Sequence, residues 1–378
     1  MKVAFVSTLY PTGREVAHGT FIRDQARALT DAGCDVVVLH INLRSPRTLG
    51  RGHHAPSETE AAGPGAPAVL RWNGWSAGPR SVPPLARRGA RELLDRYVST
   101  HGVPDIVHGH FCFGAGAAAA SIAQATGARL VITEHSTEFA RGRAIGWRKE
   151  AVRRAATAAD ALIAVSADLA ARLKDVVGRD SVVIPNVIDV DAFPPRQAGP
   201  EKRQPHIVSV GSLTEKKGYD LLLRGLALLP PDGWRATIVG EGPERASLSS
   251  LAEELQIGSR LSMPGVLDRP GIDALMSEAS VFVSSSRHET FGVAVAEALS
   301  VGVPVVTTRS GGPEAFVGSP FGVVVNPEPG SIADGIGEVL VGGLTFEPQA
   351  SHDRIRALFG PDVIAEKIRH VYATLEGR

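Results

Sequence analysis

Cysteine is nearly missing: Cys34 and Cys112 are the only two in 378 residues, far apart and without C-x-x-C spacing, which excludes a disulfide framework and a cysteine zinc site. Both read as small buried hydrophobes. Net charge is missing too, since 40 basic and 40 acidic side chains cancel. That removes the long-range positive field of a general nucleic-acid binder, so nucleic acid is not an expected partner. No run of about 18 apolar residues occurs, and Met1-Lys2-Val3-Ala4-Phe5 enters a strand-like run without the charged, apolar, then small-residue order of a secretory leader. A cytoplasmic location is expected. No G-x-x-x-x-G-K-[ST] sequence occurs, so P-loop kinases and GTPases are excluded.

What is present is a chain with 43% hydrophobic and 21% charged residues, inside the globular range and long enough for two hydrophobic cores. Short apolar runs alternate with longer amphipathic stretches. The strand candidates are Lys2 to Ser7, Asp35 to Ile41, Ile106 to His110, Leu130 to Glu134, Ala161 to Val165 and Val182 to Ile184. Helix-like segments lie between them, Phe21 to Ala32, Arg87 to Ser99, Ala115 to Thr126, Arg148 to Ala158 and Ala167 to Val177. Continuously apolar runs such as Val36-Val37-Val38-Leu39 suit strands covered on both faces. The alternation restarts with His206 to Val210, Arg235 to Val239, Leu261 to Met263, Val281 to Ser284, Pro304 to Thr307 and Gly322 to Val325. The pattern predicts an α/β protein of two doubly wound domains in tandem.

Between the two series, Pro194, Pro195, Pro200 and Pro205 with Gly199 read as a linker. The expected division is a first domain over 1–192, a linker over 193–205 and a second domain over 206–360. Arg44 to Ala68, rich in Pro, Gly, Ser and His, reads as a mobile surface loop or a disordered one.

Several motifs compete for the chemistry. Gly114-x-Gly116-x-x-Ala119 opens a helix and Glu134 ends a strand about twenty residues later, as in a dinucleotide fingerprint. Four residues separate the strand from the first glycine, where that motif needs a tight turn. Asp189-Val190-Asp191 has the D-x-D spacing that some sugar transferases use for a metal, but its place before the linker favours a turn. His53-His54 and His108-x-His110 lack a third ligand at suitable spacing, and no metal is expected.

The informative stretch runs from Ser286 to Pro304. It follows the apolar strand Val281 to Ser284 and enters a helix, so Glu289 and Gly292 fall in the strand-to-helix turn. N–H groups at Phe291 and Gly292 would then face the ligand end of the sheet. Glu297 stands eight positions after Glu289, about 12 Å of helical rise at 1.5 Å per residue. Two carboxylates so spaced suit different parts of one extended ligand.

Glu289 to Glu297, followed by Gly302-Val303-Pro304-Val305-Val306 and Gly311-Gly312-Pro313-Glu314, resembles the E-x7-E motif of the retaining GT-B glycosyltransferases of family 4. The resemblance includes Gly211-Ser212-Leu213-Thr214-Glu215-Lys216-Lys217-Gly218 as a phosphate loop, Gly240-Glu241-Gly242-Pro243 as a turn, and Gly19-Thr20-Phe21 as an amino-terminal glycine loop. Thr133-Glu134-His135-Ser136 is similar to the family's acceptor-side segment and Ile184-Pro185-Asn186 to its Pro-Asn turn. It covers nearly the whole chain and is weakest from Arg44 to Ser81.

The resemblance implies a GT-B fold, two Rossmann-like domains facing a cleft, with a terminal helix, about Ile364 to Leu375 within 361–378, crossing back to the first. It implies a nucleotide-sugar donor, UDP- or GDP-linked, held by the second domain. Glu297 would accept from the ribose hydroxyls, Glu289 from a hydroxyl of the donor sugar, and Lys217 would neutralise the diphosphate. Gly211, Ser212, Gly240, Phe291, Gly292 and Gly19 would complete the donor cradle. Tyr10, His18, Glu134 and His135 would stand on the acceptor side, His135 next to the sugar in transfer. Catalysis by His135, Glu289 and Lys217 would proceed with retention, without metal or other cofactor, onto a small-molecule, glycan or lipid-linked acceptor. Two departures stand out: Ser212 occupies a position that is often arginine, and His18 one that is often glycine.

A nucleotide-sugar epimerase of the same fold, an NAD(P)-dependent oxidoreductase using the Gly114 fingerprint, and a silent sugar-binding protein are the rival readings. Arg141, Arg143, Arg148, Lys149, Arg153 and Arg154 around Trp147 read first as a solvated helix face with Trp147 packed inward, since zero net charge gives no supporting field. The alternative is docking to an anionic membrane surface or a phosphorylated acceptor. Oligomeric state is not legible in the sequence.

Overall fold

Val36-Val37-Val38-Leu39 leaves neither face of a strand fit for water, and it lies in a parallel sheet covered by helices. The structure, a computed structural model, describes residues 1–13, 18–44, 57–61, 63, 66–139, 141–142, 145–197, 204–231, 233–342, 344 and 347–377.

In chain order the elements begin with β1 (Lys2–Ser7), α1 (Thr20–Asp31), β2 (Asp35–Arg44), β3 (Ser57–Glu60), β4 (Ala68–Trp75), α2 (Val82–His101), β5 (Ile106–His110), α3 (Ala115–Thr126), β6 (Arg129–Glu134), α4 (Gly146–Ala158), β7 (Ala161–Ala164), α5 (Ala167–Val177) and β8 (Val182–Val183). They continue with β9 (His206–Val210), α6 (Tyr219–Leu226), β10 (Arg235–Val239), α7 (Arg245–Glu254), β11 (Leu261–Gly265), α8 (Arg269–Ser277), β12 (Val281–Ser284), α9 (Val293–Val301), β13 (Val305–Thr308), β14 (Gly322–Val325), α10 (Pro329–Leu340), α11 (Pro348–Phe359) and α12 (Pro361–Glu376). The chain divides into two units, Met1–Val187 with Pro361–Arg378, and Ile188–Gly360.

Among the described residues, the first unit holds a sheet in the order β3-β4-β2-β1-β5-β6-β7-β8, parallel except for β3. Its centre is β1, where Val3 lies between Val36 and Ile106 and is fully buried. The second unit holds the all-parallel order β11-β10-β9-β12-β13-β14. Helix α12 belongs to the first unit: Ile364, Ile368, Val371, Tyr372 and Leu375, at helical spacing, join its core. The Tyr372 hydroxyl lies 2.6 Å from His108 Nδ1.

Strands β3 and β4 fall where the sequence shows only a loop and a weakly patterned stretch; residues 45–56, including His53 and His54, lie outside the described residues. The pattern of β4 is broken by Arg71, yet Arg71 is 3% exposed. The antiparallel β3 explains this, because Glu58 and Glu60 bring carboxylates to its guanidinium. A buried cation needs such partners to be tolerated.

In the expected linker, residues 198–203 lie outside the described residues, but the preceding ones are packed on the second unit. Phe193 is fully buried, its carbonyl accepts from Ser300 Oγ at 2.8 Å, and Arg196 N donates to Val301 O at 2.8 Å. The Asp189-Val190-Asp191 triplet enters a 3-10 turn over Val190–Ala192. Its carboxylates pair with Arg269 at 2.8 Å and Arg356 at 2.6 Å. Cys34 and Cys112 are free and buried. No helix among the described residues is long and apolar enough to cross a membrane.

Candidate functional site

β9 and β12 are neighbours in the second sheet, and their carboxyl ends open on a cavity lined by Ser209, Lys217, Tyr219, Ser285, Glu289 and Gly292. Doubly wound sheets take ligands at this end. The loop after β9 carries Lys217 and the loop after β12 carries Glu289. Ser285 Oγ donates to Lys217 O at 3.0 Å, and Arg287 N donates to Lys216 O at 2.8 Å. The Arg287 guanidinium forks onto the Asp220 carboxylate, both contacts being 2.7 Å. Lys217 Nζ donates to Glu289 Oε2, their side chains 22% and 13% exposed. Burial pushes the Glu289 carboxyl up, but the Lys217 ammonium, with Lys216 and the Thr290 N–H, pulls it further down, below the usual glutamate range.

Gly292 caps α9 in the left-handed conformation, φ 95°. A Cβ there would lie 2.6 Å from Pro313 Cγ, so glycine is needed on both counts. Because α9 begins only at Val293, Glu289 is not helical, and the expected rise of two full turns to Glu297 is corrected. Of the stretch between them, only the four steps from Val293 to Glu297 are helical, about 6 Å of rise. Glu297 is half-buried on α9. Phe291 is buried against Phe316 at 5.3 Å and Phe359 at 5.0 Å, anchoring the loop from behind.

Gly211 and Gly240 approach each other. A Cβ on Gly240 would stand 2.0 Å from Gly211 O, so the close backbone contact of this turn is with the chain's own phosphate-loop segment. Ser212 is exposed, its hydroxyl 3.5 Å from that of Thr214. Ser285, Arg287 and Asp220 escaped the sequence reading as site residues, since nothing in their spacing signals that they join the two loops.

In the first unit, Glu134 is 1% exposed and accepts from the N–H groups of Cys112 at 2.9 Å, His135 at 2.9 Å and Ser136 at 2.8 Å. Burial keeps its carboxyl above the usual range despite these donors. A carboxylate so occupied braces the turn after β6 and is not available for a dinucleotide ribose. His135 is 7% exposed, with Nδ1 3.1 Å from Asn186 Oδ1 and Nε2 3.2 Å from His110 Nδ1. Burial holds its pKa down to about 3, so the imidazole is neutral. Both ring nitrogens thus have protein partners. The His108-x-His110 pair is buried and stacked, ring centroids 4.6 Å apart, and His108 bonds Tyr372 and Thr133.

Tyr10, expected on the acceptor side, is 5% exposed within the core. Gly19 precedes α1, its carbonyl accepting from Ile22 N and Arg23 N; His18 is exposed, and residues 14–17 before it lie outside the described residues. Trp147 is not packed inward: it is 39% exposed, with Arg80 and Arg148 over its ring at 5.9 and 5.8 Å. Arg143 lies outside the described residues.

Comparison with known proteins fits this arrangement. The families described as Glycosyltransferase Family 4 and Glycosyl transferases group 1 match residues 18–192 and 192–350. The glycogen synthase of Mycobacterium tuberculosis (strain ATCC 25618 / H37Rv) is 28% identical over 379 residues, 94% of this chain and 89% of that protein. The phosphatidylinositol N-acetylglucosaminyltransferase gpi3 subunit of Schizosaccharomyces pombe (strain 972 / ATCC 24843) is 26% identical over 200 residues, 51% of this chain; the match spans only 43% of that protein's length. Anabaena Alr3699/HepE, solved in complex with UDP and glucose, has the same fold, with a TM-score of 0.75 at 18% identity over 98% of this chain and 99% of that one. Two family matches that meet at residue 192, and a fold shared from end to end, make this chain a glycosyltransferase, a member of the GT-B glycosyltransferases of family 4.

Proposed function

We propose that the chain moves a glycosyl group from a nucleoside diphosphate sugar to an acceptor hydroxyl, with retention and without a metal ion. The observation that carries the reading is the Lys217–Glu289 pair at the carboxyl ends of β9 and β12. A diphosphate arriving at the mouth of the cavity competes for the Lys217 ammonium, and drawing that ammonium away frees Glu289 to accept from a hydroxyl of the donor sugar. One cation is thereby placed where the leaving diphosphate gains charge, which is what stabilises that transition state. Supporting the metal-free reading, Asp189 and Asp191 each hold an arginine. Glu297, further along α9, suits the ribose. UDP in the HepE structure supports UDP as the first donor to try.

Retention follows the family resemblance: the leaving phosphate takes the acceptor proton on the face from which it departs. A screen of UDP-, GDP-, ADP- and TDP-sugars for binding and slow donor hydrolysis, then proton NMR of the product anomer, tests the reading. One donor class should bind with chelator present and give a product with the donor's anomeric configuration. Binding of NAD(P)H and of no nucleotide sugar would contradict it.

A further inference from the structure

The first unit contains a cavity of about 300 Å³ whose lining includes Leu9, Phe111, Phe113, Phe139 and Val152. It opens at the carboxyl ends of β1, β5 and β6, the ligand end of this sheet. Its volume is about ten times the share of one water molecule in the liquid, about 30 Å³, so it is large enough for a ligand group.

Of its polar lining, Glu134, Ser136, Glu138 and Arg148 already have partners, and Thr8 adds one hydroxyl. Glu134 accepts three backbone N–H groups, Arg148 Nη1 donates to Glu138 at 3.0 Å, and Ser136 Oγ accepts from Glu138 N at 3.0 Å. A sugar ring placed there would lose water from several hydroxyls and find few replacements, at a cost of about 1–3 kcal/mol for each unpaired group. A hydrocarbon chain or aromatic ring meets no such cost.

The backbone also marks the place. Phe111 has φ 74°, a left-handed conformation that a bulky aromatic side chain rarely adopts. Its N–H donates to Thr133 O at 2.8 Å and its carbonyl accepts from Gly116 N at 2.9 Å, which hold the conformation. Strain of this kind persists where the surroundings over-determine it, and it gathers at ligand sites. Trp147, 39% exposed, packs against the lining residue Phe113 with ring centroids 5.8 Å apart, and α4 carries Lys149 and Arg153 on its surface.

We propose that this cavity binds the apolar part of an amphiphilic acceptor, an alkyl chain or aryl ring attached to the group that receives the sugar. The inference rests on the transferase reading above and deepens it by naming the acceptor class. The apolar part belongs either to a soluble conjugate or to a lipid presented at an anionic surface, with the α4 cations nearby.

The test uses the full chain and n-alkyl β-D-glucosides from methyl to octyl, each below its micelle concentration, with binding measured by calorimetry. Affinity should rise about 3- to 4-fold per methylene until the cavity fills. Phe113→Ala, which removes a half-buried wall, and Val152→Phe, which fills the cavity from α4, should both flatten the series. Nucleoside diphosphate binding, measured on the same samples, should be unchanged in both and so reports an intact second unit. Octyl glucoside binding no tighter than methyl glucoside, or an undiminished chain-length dependence in both variants, overturns the proposal. Loss of nucleotide binding by the wild-type chain would instead overturn the donor reading on which it rests. Co-sedimentation with phosphatidylglycerol vesicles distinguishes the two sources: sedimentation that Trp147→Ala abolishes points to a lipid, and an unsedimented protein that keeps the chain-length series points to a soluble conjugate.

Discussion

At the ends of their strands, the two units treat polar groups in opposite ways. In the first, His135 is buried between Asn186 and His110, and Glu134 is saturated by three N–H groups. In the second, Lys217 and Glu289 carry opposite charges at the cavity, part-exposed and paired through a side-chain contact that a ligand can separate. A buried network held by backbone N–H groups and neighbouring side chains suits a wall that must keep its shape. A part-exposed ion pair suits a place where charge arrives and leaves. On this comparison, removing charge should damage function through the second unit, and adding charge should damage stability through the first.

The largest expected effect is at Lys217. With Ser212 in the position often held by arginine, Lys217→Ala should lose on the order of 10²-fold or more in kcat/KM, checked by steady-state kinetics with saturating acceptor. A mutant within a few-fold of wild type would show that another cation holds the diphosphate.

The two glutamates sharpen the comparison within the second unit. On the proposed reading Glu289 stands beside the sugar that becomes positively charged, so Glu289→Gln should lower kcat by about 10-fold or more with little change in donor KM. Glu297 is assigned to a ribose that does not react, so Glu297→Gln should chiefly raise donor KM. Equal KM effects with unchanged kcat in both would sink the assignment.

Arg287 touches Asp220 and the Glu215 carbonyl, so its effect passes through the position of Lys217. Arg287→Ala should cost less than Lys217→Ala, roughly 10-fold in kcat/KM, by displacing the cation about an ångström from the phosphates. Arg287→Lys, which keeps one contact of the fork, should recover part of that activity. An equal loss in the alanine and lysine variants would speak for a direct phosphate contact instead.

Acid should separate the units without any mutation. Burial holds His40, His108 and His135 down to about 3. Unfolded histidine titrates near 6.5, so the stability these residues support is complete above that value and declines as pH falls toward 3. The slope is about 1.4 kcal/mol per pH unit for each histidine. Glu289, depressed below the usual carboxylate range, keeps its charge and its pairing through the upper part of that window. Hydrogen exchange at pH 7.5 and 5.5 should therefore show protection lost first in β5, β6 and α12, and later in β9 and β12. The same neutrality predicts no inflection from His135 near pH 6.5 in kcat/KM.

Much of this was legible in the sequence wherever the physics is local. β1, β5, β9, β10, β12 and β14, with α3 and α5, occupy the residues that apolar runs and periodicity mark. β4 was not legible because its pattern includes an arginine whose compensation comes from Glu58 and Glu60 on another strand. The separation of Glu289 from Glu297 was misjudged because the helix begins after Gly292, a consequence of the left-handed cap. The partners of His135 come from 25 and 51 residues away, and that distance hides the saturation of its ring from any reading of spacing.

The central claim, that Lys217 holds the diphosphate without a metal, is tested most directly by calorimetric titration of UDP and GDP into wild type and Lys217→Ala in the presence of EDTA. The account predicts that the wild type binds one of them with chelator present and that the mutant binds it at least about 10-fold more weakly. Binding that EDTA abolishes and magnesium restores, or that is equal in the two proteins, would contradict it.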